Sequence, residues 1–99
     1  MSNSTPQSAL IIGGDHVDRY KNFLQKQGFK SVAHWDGRRN SECHRRLPQS
    51  LDLLVIMVDQ VSHSLLYKMR KLADERHLPI IYTQRSVTQL AMALESIKH

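Results

Sequence analysis

The sequence contains a single cysteine, Cys43, so no intrachain disulfide bond can form. This usage is typical of a reducing compartment. Long hydrophobic runs are also missing: the apolar stretches have about five or six residues, whereas a membrane-spanning helix needs about 20. Residues 1–8 are polar and contain no basic residue, unlike the start of a signal peptide. We therefore predict a cytoplasmic protein with no membrane segment and a disordered tail over residues 1–8.

Several catalytic and nucleotide-binding motifs are absent. The chain has no Gly-x-Gly-x-x-Gly, no Gly-Lys-Ser/Thr and no Gly-x-Ser-x-Gly sequence. Ser62 and His63 are adjacent, but neighbours in a helical turn point about 100° apart and do not form a nucleophile and base pair. These absences favour a non-enzymatic protein. A metal-dependent hydrolase using His34, Asp36 and His63 is the alternative that stays open.

The charge balance is basic, with 14 Lys and Arg against nine Asp and Glu and a formal net charge of +5. A basic surface favours anionic partners without selecting among them. The densest positive patch comprises Arg38, Arg39, Arg45 and Arg46. It predicts an anion or nucleic-acid contact, although aromatic residues that stack on bases are sparse there. The nearby Cys43 is a candidate redox-sensitive or haem-ligating thiolate.

Four short apolar runs alternate with helical patterns. The predicted strands cover residues 9–12, 31–34, 53–58 and 79–83. The third run is continuously apolar, as in a strand buried on both faces. This alternation predicts one domain over residues 9–99, a small three-layer α/β sandwich of Rossmann-like or flavodoxin-like type. Its four-stranded parallel sheet has the predicted strand order 2-1-3-4, and its two open edges or its last helix predict a homodimer.

Capping signals mark the predicted helices. Asp15 is a candidate amino-terminal cap for the first helix, and Gly28 is a candidate terminator. A second, weak helix is predicted over residues 40–47. Ser62 starts the third helix, whose apolar stripe is Leu65, Leu66, Met69, Leu72 and Ala73. The fourth helix begins with Ser86 and Gln89, which have the spacing of a capping box.

Three motifs resemble a known family. They are Ile12-Gly13-Gly14 after the first strand, His34-Trp35-Asp36-Gly37 after the second, and Asp59-Gln60-Val61-Ser62-His63 after the third. Together they are similar to the motifs of the bacterial family catalogued as domain of unknown function 2325, and the resemblance extends over nearly the whole chain. It implies a compact Rossmann-like domain and a histidine-bound cofactor such as haem.

Polar clusters follow all four predicted strands, and the carboxyl ends of parallel strands share one edge where ligands bind. His34 and His63 are the leading candidates for ligands of a transition metal or haem iron, because neutral imidazole binds both. Structural hydrogen bonding is the alternative for each. Further candidate cofactor contacts are His16, Gly13, Gly14 and Arg85, with Asp36 and Asp59 as acceptors that orient the imidazoles. The sequence thus predicts a small-molecule or cofactor-binding module, and a nucleic-acid or polyanion-binding protein is the competing hypothesis.

Overall fold

The computed structural model describes residues 7–36, 47–84 and 86–98. Its elements are β1 (Gln7–Ile12), α1 (Asp18–Lys26), β2 (Phe29–Trp35), β3 (Leu53–Met57), α2 (His63–Glu75), β4 (Ile80–Thr83) and α3 (Val87–Lys98). The four strands are all parallel and lie in the order β2-β1-β3-β4. The predicted α/β fold, parallel sheet and strand order are confirmed.

The helices cover the sheet on both faces. On one face, α1 and α3 pack against the odd-numbered residues of β1 and β3, with Leu24 and Leu90 fully buried. On the other face, α2 packs through Leu65 and Met69 against the even-numbered residues. Every residue of β3 is buried, as its continuous apolar sequence predicts. The two central strands therefore form the middle of the core.

The helix ends agree with the capping signals in part. Ser62 caps α2, because its Oγ accepts a hydrogen bond from the backbone N–H of Leu65 at 3.1 Å. Gly28 follows the end of α1 with a φ of +106°, a conformation that favours glycine. The prediction that Asp15 caps α1 is wrong. The cap position is Val17, and no side chain caps this helix, because two residues separate Asp15 from the start of the helix.

Some predicted boundaries differ from the structure. Gln7 and Ser8 belong to β1 rather than to a disordered tail, and the Ser8 N–H donates to Asp52 Oδ2 at 2.9 Å. The third strand ends at Met57, one residue early, because Val58 begins a short 3-10 turn. The weak helix predicted over residues 40–47 lies outside the described residues except for Leu47, which is buried and not helical. None of the described helices is long and apolar enough to cross a bilayer.

Candidate functional site

A cleft opens at the carboxyl edge of the sheet, between the ends of β1 and β3. Its volume is about 460 Å³. It is lined by Gly14, Asp15, His16, Val17, Arg19, Tyr20, Met57 and Gln60, which together define the carboxyl-edge cleft. The chain leaves β1 toward β2 on one side, and β3 lies on the other side, so the strand order reverses here. Ligands of open α/β sheets bind at such a point.

Two glycines shape the turn that borders this cleft. Gly13 and Gly14 have φ values of +103° and +88°, a region that side chains rarely adopt. A Cβ on Gly13 would lie 2.9 Å from Val61 Cγ1 and 3.0 Å from Met57 Cβ. Glycine at position 13 therefore lets the end of β1 pass directly against the residues that follow β3. This packing accounts for glycine at position 13, and the cofactor contact predicted for Gly13 and Gly14 stays a prediction.

Gly13 is also held by β2 through both of its backbone groups. Its N–H donates to the carbonyl oxygen of Trp35 at 2.7 Å. Its own carbonyl oxygen lies 3.1 Å from His34 Nε2. Because a carbonyl oxygen only accepts, His34 Nε2 carries the hydrogen, and Nδ1 of the neutral ring then carries a lone pair. This is the arrangement in which a histidine binds a metal through one nitrogen and is oriented by a backbone carbonyl through the other.

His34 and His63 lie on different layers of the fold. His34 pairs in register with Ile11, which places its side chain on the face covered by α1 and α3. His63 is exposed and begins α2, the helix on the opposite face. His34 lies on β2 and His63 follows β3, and β1 lies between these two strands in the sheet. A site shared by both imidazoles would therefore extend over the carboxyl edge of the sheet, and the pair stays a prediction.

His16 is the histidine that lines the carboxyl-edge cleft, where its side chain is exposed. Arg19 and Gln60 also line the cleft, and neither was predicted as a site residue. Arg19 lies in the first turn of α1, off the apolar stripe of Tyr20 and Leu24. The sequence signal for Arg19 is a basic residue outside the apolar stripe, in the first turn of a helix that follows a glycine turn. Gln60 lies in the 3-10 turn after β3 and belongs to the motif that begins at Asp59, although no role was predicted for its side chain.

The two candidate orienting carboxylates flank this region. Asp36 follows β2 and is half-buried, and Asp59 lies in the 3-10 turn after β3 and is exposed. Both occur on the segments predicted from the sequence. Their role as acceptors for the imidazoles stays a prediction.

A hydrogen-bond network joins the end of β4 to the start of α3. Thr83 is only 1% exposed, and its hydroxyl donates to Ser86 O at 3.2 Å and lies 3.3 Å from Gln89 Oε1. Gln89 Oε1 also accepts the backbone N–H of Gln84 at 2.9 Å. Ser86 Oγ in turn accepts the N–H of Gln89 at 3.1 Å, so half of the predicted capping box is confirmed. The Gln89 side chain bonds back to the β4 end instead of completing the box.

Several predicted site residues lie outside the described part of the chain. They are Gly37, Arg38, Arg39, Cys43, Arg45, Arg46 and Arg85. Within residues 7–36, 47–84 and 86–98, no group of three or more His, Cys, Asp or Glu side chains is arranged to hold a metal ion. A metal ion at this edge would therefore take at most two such ligands from the described residues.

A family model matches residues 8–97, from the second residue of β1 to the last turn of α3. The family is described as uncharacterised protein conserved in bacteria, DUF2325. Comparisons with curated proteins and with solved structures give no match.

Proposed function

The chain belongs to the DUF2325 family of bacterial proteins, and we propose that it is a ligand- or cofactor-binding module rather than an enzyme. The observation that carries this proposal is the carboxyl-edge cleft at the reversal of strand order. A volume of about 460 Å³ falls in the range of small-molecule sites, which is about 300–1,000 Å³.

The lining of the cleft suits a small polar ligand. Asp15 and Arg19 supply opposite charges, and His16 and Gln60 supply further hydrogen-bonding groups. Tyr20 is 94% buried and forms part of the wall toward the core. A ligand with both donor and acceptor groups matches this set better than an apolar ligand.

Haem iron or a transition metal is the cofactor class that the histidines favour. The His34 ring is half-buried and is oriented by the Gly13 carbonyl, which leaves Nδ1 as the coordinating atom. His63 and His16 are exposed at the same edge and are the candidates for a second imidazole. The basic net charge of the chain also suits the carboxylates of a porphyrin.

The hydroxyl groups at this edge support binding over catalysis. Ser62 Oγ is engaged as the cap of α2, and the Thr83 hydroxyl is buried in the network with Ser86 and Gln89. Hydroxyls with such structural partners favour a binding role over that of an activated nucleophile. A metal-dependent hydrolase would have to use a metal-bound water instead, and it would show turnover rather than binding alone.

Titration of the purified protein with haem, and separately with Zn²⁺, tests the proposal. We expect a saturable Soret band with haem or a saturable heat of binding with Zn²⁺, and we expect His34→Ala to abolish it. His63→Ala and His16→Ala then identify the second ligand. The matched control is His77→Asn, since His77 is exposed at the opposite edge and asparagine tolerates its φ of +54°. If the His34, His63 and His16 variants all titrate like the wild type, the hypothesis of imidazole ligation is wrong.

A separate variant tests the cleft itself. Arg19→Ala removes one charge from its lining without touching a histidine. Loss of haem or Zn²⁺ affinity in this variant would place the ligand in the cleft, and unchanged affinity would restrict the site to the histidines. We also propose a cytoplasmic location, supported by the single cysteine of the sequence and checked by cell fractionation.

A further inference from the structure

The exposed apolar side chains concentrate at one edge of the sheet. Four large apolar residues of the described chain are strongly exposed: Tyr67 at 71%, Tyr82 at 44%, Met92 at 70% and Ile97 at 43%. Tyr67 and Tyr82 line a groove of about 520 Å³ between α2 and β4. Tyr82 and Met92 line a second groove of about 430 Å³ beside α3. Tyr67, Tyr82 and Met92 thus form an edge stripe that crosses β4 from one helical layer to the other.

The backbone of β4 is open along this stripe. β4 is the last strand of the sheet, and among the described residues no strand pairs with its outer side. The backbone N–H of Leu54 donates to Pro79 O at 3.0 Å, so residues 79, 81 and 83 direct their backbone groups toward β3. Because these directions alternate along a strand, the N–H and C=O groups of Ile80 and Tyr82 point outward.

The two edges of the sheet differ in their protection against pairing. On β2, the opposite edge strand, Lys30 is exposed, and an edge lysine discourages the addition of another strand. The sequence of β4 is Ile-Ile-Tyr-Thr and carries no charge. The β4 edge is therefore the one that is chemically suited to receive a strand.

We propose that a second copy of this chain pairs with β4 across a two-fold axis, so that the two sheets become continuous. An antiparallel arrangement centred on Ile81 sets Ile80 opposite the partner's Tyr82, and Tyr82 opposite the partner's Ile80. Both residues point their backbone groups outward, so each of these pairs exchanges two hydrogen bonds. The side chains of Ile80 and Tyr82 lie on the α2 face. In the dimer, the Ile80 and Tyr82 side chains of both copies therefore form one apolar cluster around the two-fold axis. The strand is thus complementary to itself.

The charges around the edge are compatible with a second copy. The groove beside α2 contains Arg70 and Lys71 but also Asp74, so each copy offers both signs to the other. A surface of one sign would repel its own copy. Stable interfaces bury about 800 Å² per partner, more than four strand residues supply. Tyr67 and Met92 extend the contact into both helical layers, and an aromatic side chain alone contributes about 150–250 Å².

Sedimentation equilibrium across a range of protein concentrations tests the proposal. We expect the wild-type chain to be a dimer, and we expect Tyr82→Lys to weaken dimerisation at least about tenfold, because it places charges in the apolar cluster. Ile97→Lys is the matched control, since it adds the same charge at nearly the same exposure on the last helix. A monomeric wild type overturns the proposal and leaves the edge to a strand from a different protein. Dissociation by Ile97→Lys alone also overturns it, in favour of the last helix.

Cysteine cross-linking tests the register. In a Cys43→Ser background, the double variant Ile80→Cys and Tyr82→Cys sets each new cysteine opposite one on the partner, at a Cα separation of about 5.5 Å that a disulfide spans. Oxidation should yield a covalent dimer on a denaturing gel. Ile80→Cys alone has no thiol opposite it and should stay monomeric. Equal cross-linking of the single and double variants contradicts the antiparallel register, and circular dichroism checks that each variant is folded.

Discussion

His34 and Gly13 are joined by a hydrogen bond of 3.1 Å between the imidazole Nε2 and the Gly13 carbonyl oxygen. This bond ties the edge strand β2 to the glycine turn beside the carboxyl-edge cleft. It therefore gives His34 a structural role that is independent of any ligand, and it also presents Nδ1 in a fixed orientation. The two roles make separate predictions.

The structural role predicts that His34→Ala lowers the free energy of unfolding by about 1 kcal/mol, the typical contribution of one intramolecular hydrogen bond. Urea denaturation without added cofactor measures it. His16→Ala is the control, because this histidine is exposed, and its replacement should change the free energy by less than about 0.5 kcal/mol. Equal stability of the two variants would show that the His34 bond contributes nothing.

Gly13→Ala should destabilise the protein far more than Gly28→Ala. Both glycines have nearly the same positive φ, +103° and +106°, so both variants carry a similar backbone strain of about 1–2 kcal/mol. At Gly28 the nearest atom to an added Cβ is 4.0 Å away, whereas at Gly13 Val61 lies at 2.9 Å. We expect an additional loss of about 1–3 kcal/mol at Gly13 from overpacking. Thermal unfolding of both variants measures the difference, and similar melting temperatures would contradict the close approach.

Thr83→Val should lower the free energy of unfolding by about 1–2 kcal/mol. Valine has nearly the same shape but removes the hydroxyl that bonds to Ser86 O and Gln89 Oε1, and these acceptors lose a buried donor. Thr83→Ser keeps the hydroxyl and removes only a methyl group. A valine variant that is at least as stable as the serine variant would show that packing, rather than the hydrogen-bond network, dominates at this position.

Acidification should weaken haem or Zn²⁺ binding if imidazoles are the ligands. Protons compete for the same ring nitrogens, so the affinity should fall steeply between about pH 8 and about pH 5. Repeating the titrations at the two pH values measures this, with circular dichroism to check that the fold persists. A site built on arginine should instead hold its affinity, and equal affinity at both pH values counts against histidine ligation.

The architecture was largely predictable because its signals are local. The unbroken apolar sequence of β3 indicates a strand buried on both faces, and alternation of short strands with capped helices indicates parallel pairing. Ser62 fulfils its predicted role because a cap needs only the residue that precedes the helix and its third neighbour. Asp15 fails as a cap because α1 starts later than the apolar pattern suggests, after Val17.

The candidate site was predictable only as a region. Parallel strands bring their carboxyl ends to one edge, so the positions of His16, His34 and His63 at that edge follow from the sequence pattern. Which face each imidazole lies on depends on register between strands, and the pairing of His34 with Ile11 is a tertiary relation that spacing along the chain does not encode. The cleft contacts of Arg19 and Gln60 depend in the same way on how the β1 and β3 ends approach each other.

The sharing of one face of the sheet by α1 and α3 has a consequence for the order of folding. Leu24 of α1 and Leu90 of α3 belong to the same apolar cluster, so this face stays partly uncovered until residues 87–98 have been synthesised. An all-parallel sheet offers no hairpin that forms from chain neighbours alone, so its strands pair only through distant contacts. A nascent chain that has reached β4 therefore still exposes Val55 and Ile81 on the face that α3 covers. We expect folding to finish as α3 leaves the ribosome, with the uncovered sheet as the species that chaperones bind.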